Sequence, residues 1–143
     1  MYRNKSITIT ARVVVLLLAV FVVSCEPESF EVDSDDPRDN ITDIWSVTEY
    51  SQLDTISYPS EITKHPTDST RIRINYFYGL GYDINAIALL DERRIIIPLQ
   101  TLDGIDVEGD GTINFSYSQI TFNYTADDGS GFVDQVRAEY RRD

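Results

Sequence analysis

The sequence predicts an all-β domain over residues 41–143, in which about eight antiparallel strands follow one another as a meander. Apolar residues recur at every second position, which is the period of a strand with one buried face. Turn-forming residues separate these segments at short intervals, and short connections join antiparallel neighbours, because parallel crossovers need a dozen or more residues. Such a meander can close into a small β-barrel that leaves no exposed edge. A β-sandwich is the alternative.

The predicted strands are 43–50, 55–64, 70–78, 84–90, 94–99, 105–116, 119–126 and 133–141. In the third strand, alternation assigns one face to Ile72, Ile74, Tyr76 and Tyr78. Phe77 falls on the other face, beside Arg71, Arg73 and Asn75, and we expect its ring to be exposed. An exposed aromatic ring next to a glycine loop is typical of a contact site.

The first 25 residues have the features of an export signal. Three basic residues and no acid precede an unbroken apolar run over residues 13–23. This run is too short to span a membrane, which takes about 20 residues, but it fits the apolar core of a secretory signal. The segment Val22-Val23-Ser24-Cys25 resembles the bacterial lipobox. The resemblance implies that residues 1–24 are removed and that Cys25 carries the lipid that anchors the chain to a membrane.

Residues 25–40 predict an acidic, flexible tether. They include seven acidic residues and two prolines, and such a segment buries too little apolar surface to offset the entropy of ordering. An acidic stretch after the lipid-bearing cysteine resembles the export signal of surface lipoproteins in Bacteroidota-type bacteria. This resemblance implies a lipid-anchored protein of the outer membrane, with exposure on the periplasmic or the cell-surface side left open.

A second resemblance concerns the barrel itself. The segment Asn40-Ile-Thr-Asp-Ile-Trp45 resembles the Gly-x-Trp opening of lipocalin-like (calycin) barrels, with Asp43 in place of the glycine. Residues 68–81 and 109–114 resemble small lipocalin-like lipoproteins of Bacteroidota-type bacteria. The resemblance covers residues 38–143 and implies a lipocalin-like barrel, but a fold does not fix a ligand.

Charge and cysteine content exclude several classes of function. Nine basic and 24 acidic residues follow Cys25, which gives that part of the chain a net charge of -15. A field of this sign repels phosphate backbones and anionic lipid headgroups, so nucleic acid is not an expected partner. A single cysteine excludes an internal disulfide and a cysteine-rich metal site.

The acidic segment Asp106-Val-Glu108-Gly-Asp110 is the closest approach to a metal-binding motif. These carboxylates match positions 1, 3 and 5 of an EF-hand loop, but Tyr117 occupies position 12, where calcium needs a bidentate glutamate. We therefore expect a solvated acidic strand face, and a calcium site only as the disfavoured interpretation. No nucleophile, phosphate-binding or dinucleotide motif is present, so we expect neither enzymatic activity nor a cofactor.

Four aromatic residues are candidates for binding a ligand at a cavity mouth or on a sugar-stacking platform: Trp45, Tyr76, Phe77 and Tyr78. Alternating aromatic residues in strands nevertheless belong more often to the core. The expected function is a membrane-anchored lipoprotein with a non-enzymatic binding barrel, whose partner is a small apolar molecule, a glycan or an outer-membrane protein. The alternative is a structural accessory lipoprotein with a filled barrel. An interior cavity above about 300 Å³ would favour a small ligand.

Overall fold

The computed structural model describes residues 35–142, so the predicted signal peptide, Cys25 and most of the predicted tether lie outside the described residues. A short 3₁₀ helix, Pro37–Asn40, precedes eight strands. The strands are β1 (Asp43–Tyr50), β2 (Thr55–Lys64), β3 (Arg71–Asn75), β4 (Asn85–Asp91), β5 (Arg94–Leu102), β6 (Ile105–Ile113), β7 (Gln119–Asp127) and β8 (Val133–Arg141). Within residues 35–142, no helix has the length and apolar character needed to cross a membrane.

Each strand pairs antiparallel with its neighbours in sequence, and the first strand also pairs with the last. The closing ladder of β1 and β8 runs from Ser46 opposite Arg141 to Tyr50 opposite Arg137. The sheet is therefore a closed eight-stranded barrel, which confirms the predicted meander and excludes the sandwich. Every strand in it has two hydrogen-bonded neighbours, so no edge strand is left for pairing with another chain.

The two ends of the barrel are formed by different connections. The rim consists of the connections 51–54, 76–84, 103–104 and 128–132. The base consists of residues 35–42, the connections 65–70, 92–93 and 114–118, and Arg142. Because strands alternate in direction, the described chain both begins and ends at the base.

The third strand is shorter than its sequence predicts, and the exposed position expected for Phe77 is wrong. β3 ends at Asn75, and a 3₁₀ turn occupies Phe77–Gly79. Tyr76 and Tyr78 have φ angles of 60° and 53°, which lie outside the strand region. This break in the alternation turns Phe77 inward, where its exposed fraction is 0%.

The interior of the barrel is filled by side chains. The residues without accessible surface include Trp45, Ile62, Ile72, Ile74, Ala86, Ala88, Ile95, Val107, Ile120, Phe122, Ala138 and Tyr140. An atom beside a space large enough for water would have some accessible surface, so these residues pack against one another. Burial of each large aliphatic or aromatic side chain contributes roughly 1.5–3 kcal/mol to stability.

Two glycines on the inner face of β6 make room for aromatic rings from β7. A Cβ atom on Gly111 would lie 2.5 Å from the Phe122 ring, and one on Gly109 would lie 2.3 Å from the Asn123 carbonyl and 2.4 Å from the Tyr124 Cβ. The glycines of the acidic segment 106–111 therefore serve packing, since any side chain at these positions would displace β7.

Arg38 anchors the 3₁₀ helix, which lies at the end of the predicted tether of residues 25–40, to the base. Its buried guanidinium donates to the carbonyls of His65, Asp68 and Arg71 at 3.4, 2.9 and 3.2 Å. It also forms an ion pair with Asp36 at 2.7 Å. Residues 36–40 are therefore held against the folded domain, because one arginine binds three carbonyls of residues 65–71. The carbonyls of Asp68 and Arg71 also accept backbone hydrogen bonds, from Arg71 and His65.

Candidate functional site beneath the rim

A buried carboxylate lies inside the barrel, just below the rim. The alternation of β1 turns Trp45, Val47 and Glu49 inward, and Glu49 is only 1% exposed. An ionised carboxylate in such a place is costly unless hydrogen-bond donors surround it. Glu49 is therefore the side chain whose surroundings require a specific explanation.

Two tyrosine hydroxyls converge on Glu49 from opposite sides of the barrel. Tyr58 of β2 and Tyr124 of β7 both donate to its Oε1 atom. The carboxyl group thus connects β2 and β7, which are not neighbours in the sheet, through the interior. Hydrogen bonds in a low-dielectric interior are stronger than in water, so this contact holds β1, β2 and β7 together just below the rim.

Burial sets the protonation behaviour of this group. Desolvation raises the pKa of Glu49, the hydrogen bonds from Tyr124 and Tyr58 lower it, and the nearby Asp134 carboxyl raises it; desolvation is the largest of these effects. Burial also raises the pKa values of the Tyr58 and Tyr124 hydroxyls. Both tyrosines therefore remain neutral donors over the whole range in which Glu49 exchanges its proton.

Tyr140 contributes a further hydroxyl to the same region. Its side chain is fully buried, and burial raises its pKa. The hydroxyl faces Ser60 and Tyr58 but makes a hydrogen bond with neither, and Ser60 instead donates to the Asn75 carbonyl at 2.7 Å. Both neighbouring hydroxyls favour the ionised form of Tyr140, but burial outweighs them.

The connection 76–84 covers this cluster. The Phe77 ring packs on the Tyr124 ring with centroids 4.6 Å apart, and the Tyr78 hydroxyl donates to Asp134 Oδ2 at 2.9 Å. Burial, and then the bond to Asp134, raise the pKa of Tyr78 to about 12. Asp134 also accepts from the Gln52 backbone amide at 3.1 Å, so one buried carboxylate fixes two rim connections.

The enclosure of Glu49 limits the chemistry that its carboxyl group can carry out. Glu49 can hold a proton and accept two hydroxyl hydrogen bonds, but Phe77 and Tyr78 separate it from solvent. A general base must come within hydrogen-bond reach of the proton that it abstracts. Among residues 35–142, the side-chain groups within that reach of the Glu49 carboxyl are the hydroxyls of Tyr58 and Tyr124.

The candidate residues from the sequence do not form one site. Trp45 lies at the base, where its Nε1 donates to the Ile41 carbonyl at 3.0 Å. The other three candidates lie at the rim: Tyr76, Phe77 and Tyr78. Of these, Tyr76 contacts an exposed ring, since it stacks on Tyr82 with centroids 4.6 Å apart. The structure therefore does not bring the four residues together, because Trp45 belongs to the opposite end of the barrel.

The acidic residues of β6 are also separate from one another. Asp106, Glu108 and Asp110 follow a strand, in which same-face side chains are spaced about 6.6 Å apart, too far to converge on one ion. Asp106 accepts a hydrogen bond from Thr101. Within residues 35–142, no three histidine, cysteine or acidic side chains are grouped as metal ligands.

Open depressions lie outside the barrel. One, of about 460 Å³, crosses the outer faces of β6, β7, β8 and β1, and its wall includes Tyr50, Glu108, Asn123 and Arg137. Another, of about 480 Å³, lies at the base beside Arg93 and Phe115. Both of these depressions face solvent, in contrast to the filled interior.

Sequence reasoning missed Glu49, Tyr58, Tyr124, Asp134 and Tyr140 as a group. The available signal was the period of two, since Glu49 shares the face of Trp45 and Val47, and Asp134 shares that of Val136 and Ala138. A charged residue in register with buried neighbours indicates an interior polar group.

The chain matches no protein-family model, and no curated protein shows significant similarity to it.

Proposed function

We propose that this protein is a lipid-anchored lipoprotein whose barrel acts through its outer surface, as a non-enzymatic module that contacts another protein. The observation that carries this proposal is the filled interior. The residues that point inward have little or no accessible surface, and the Glu49 cluster and the connection 76–84 occupy the space in which a barrel would hold a small ligand.

The lipobox at residues 22–25 supports the anchored state. Eleven residue steps separate Cys25 from Asp36, and a chain of this length reaches at most about 40 Å. The described chain begins at the base. A lipid on Cys25 would therefore keep the domain near a membrane, and high local concentration favours contacts with proteins of the same membrane.

Lipidation is tested by metabolic labelling of the full chain with a fatty acid in a bacterial host. We expect label in the wild type and in Ser24→Ala, which keeps a small residue before Cys25, and none in Cys25→Ala. The labelled proteins should also be recovered in the membrane fraction. Label that persists in Cys25→Ala, or a wild type without label, would contradict the anchor.

The filled interior is tested separately on the lipidated protein purified from membranes. Native mass spectrometry should give the mass of the chain with its lipid and no additional small molecule. A stoichiometric co-purified molecule that is lost in Tyr58→Trp, a change that adds volume inside the barrel, would instead show that the interior accepts a ligand.

A further inference from the structure

The rim carries exposed apolar side chains on three of its four connections. Leu53, Tyr82 and Phe132 are 70%, 67% and 45% exposed, and each comes from a different connection. Ile56 and Val133 are exposed beside them at the ends of β2 and β8. Large apolar residues exposed at one end of a domain are typical of an interaction surface.

The same connections carry only negative charge. Asp54, Asp83, Asp103 and Asp128 are exposed there, and the four rim connections contain no lysine or arginine. Asp127 adds a partly buried carboxylate at the end of β7. The rim therefore combines apolar contact area with a negative field, since the cations of the ion pairs formed within residues 35–142 bind carboxylates elsewhere.

The base end also exposes apolar side chains, Phe115 and Ile44, but it differs from the rim in its charges. Its lysine and arginine residues include Arg38, Lys64, Arg71, Arg93 and Arg142. Several of these are paired with carboxylates, as in the contact of Lys64 with Asp39 at 2.5 Å. The exposed ring at this end, Phe115, is covered by the Arg93 guanidinium at 3.7 Å. The base thus neutralises its own charges and partly covers its exposed ring.

The rim is also held in a fixed arrangement. Asp134 binds the Gln52 amide and the Tyr78 hydroxyl, and Tyr82 stacks on Tyr76 with an angle of 14° between the rings. Tyr76 in turn packs edge-on against Tyr58, with centroids 5.0 Å apart. A surface that is ordered before binding loses less entropy on association, so its contacts contribute more to affinity.

We propose that the rim is the docking surface for a partner protein segment that combines basic and apolar side chains. This inference rests on the proposed function and specifies which surface and which partner chemistry it uses. Apolar residues of the partner would contact Leu53, Tyr82 and Phe132, while its lysine or arginine side chains would face the rim carboxylates, in the charge complementarity found at specific interfaces.

Charge also distinguishes this partner from other occupants. A second copy would place one acidic rim against another, since a two-fold interface brings the same patch together, and like charges in contact are unfavourable. An anionic membrane surface would repel the rim for the same reason. A basic, partly apolar protein segment is the occupant that satisfies both properties of the surface.

The test is site-specific photo-cross-linking in the native membrane with the full lipidated chain. A photoreactive phenylalanine analogue replaces Leu53, Tyr82 or Phe132 at the rim, and Ile44, Leu99 or Phe115 elsewhere as matched exposed controls. We expect protein adducts from the rim positions, with cross-linked peptides rich in lysine or arginine and apolar residues. A second variant set, Asp54→Asn with Asp83→Asn and Asp128→Asn, should lower the rim adduct yield about tenfold.

The control for charge is Asp91→Asn with Glu92→Gln at the base, which should leave the rim adducts unchanged. Adducts from Ile44, Leu99 or Phe115 but not from the rim would overturn this inference and leave the proposed function standing. Rim adducts to lipid, to a second copy of the chain or to acidic peptides would also overturn it. The absence of protein adducts from all six positions would contradict the proposed function itself.

Discussion

The guanidinium carbon of Arg142 lies 4.7 Å from the centroid of the Trp45 ring and so joins the residue after the last strand to the first strand. The same group donates to the carbonyl of Tyr117 at 2.8 Å and to that of Asn40. A third contact reaches Asp43 at 3.3 Å. One side chain therefore binds three separate segments of the base and covers the buried indole.

Replacement of Arg142 by methionine, which keeps an apolar stem, should lower the free energy of unfolding by about 2–3 kcal/mol. The loss arises because the Tyr117 and Asn40 carbonyls lose a charged donor and the indole loses its cation. Urea denaturation measures the change. Arg141→Met is the control, because Arg141 is exposed and only pairs with Glu139. Equal losses in the two variants would contradict the bridging role of Arg142.

Glu49 should make the stability of the protein fall as the pH rises. Its pKa is raised in the folded state, so the folded chain binds this proton more tightly than the unfolded chain does. The stability that this proton contributes begins to fall when the pH rises above the pKa of the unfolded state, which is about 4.3, and it is lost as the pH passes the raised pKa of the folded state. The total loss is about 1.4 kcal/mol for each pH unit by which the two pKa values differ. Glu49→Gln should therefore gain stability relative to the wild type between pH 4 and pH 8.

Urea denaturation at several pH values measures this difference, and Glu139→Gln provides the contrast. The ion pair with Arg141 lowers the pKa of Glu139. Glu139 therefore contributes stability above its unfolded pKa, and this contribution is lost as the pH falls through the folded pKa. A stability difference between Glu49→Gln and the wild type that stays constant from pH 4 to pH 8 would show that burial does not raise the pKa of Glu49.

The Tyr78 hydroxyl should control the opening of the connection 76–84. Tyr78→Phe removes the bond to Asp134, which costs about 1 kcal/mol for a partly buried group. We expect faster amide hydrogen exchange in residues 76–84, while the central strands keep their protection. Tyr82→Phe is the control, because the hydroxyl of Tyr82 is exposed and forms no hydrogen bond with any of residues 35–142. Similar acceleration in both variants would refute a specific role for the Asp134 contact.

The inward glycines of β6 should not tolerate a side chain. Gly111→Ala forces the Phe122 ring to move and should cost about 1–3 kcal/mol, and Gly109→Ala should cost at least as much, because its contacts include backbone atoms. Thermal unfolding measures both. Thr112→Ala, on the outer face of the same strand, should have little effect. Wild-type stability in Gly109→Ala would show that β6 and β7 do not pack as closely as their register requires.

The strands were predictable from sequence because alternation, turn residues and short connections all indicated the same architecture. β1, β2 and β8 have the predicted bounds. The end of β3 was not predictable, because Tyr76 and Tyr78 adopt positive φ although tyrosine has no intrinsic preference for it. Packing of Phe77 on Tyr124 and the bond of Tyr78 to Asp134 stabilise this turn, and both partners lie far away in sequence.

The interior cluster was only partly predictable. Period two assigns Glu49 and Asp134 to inward faces, but the tyrosines that contact them come from β2, β7 and the connection 76–84. These meetings depend on barrel closure, which local patterns do not encode. The role of Gly109 and Gly111 was hidden for the same reason, since a glycine between acidic residues has the composition of a turn.

The ladder between β1 and β8 has a consequence for how the chain folds. Val47 pairs with Tyr140, so closure of the ring joins residues that lie far apart in the sequence. A chain that lacks β8 would leave β1 and β7 as unpaired edges, which are templates for aggregation. Contacts of such sequence separation slow folding. Stable folding should therefore require β8, so the seven preceding strands alone would form an open sheet with two exposed edges.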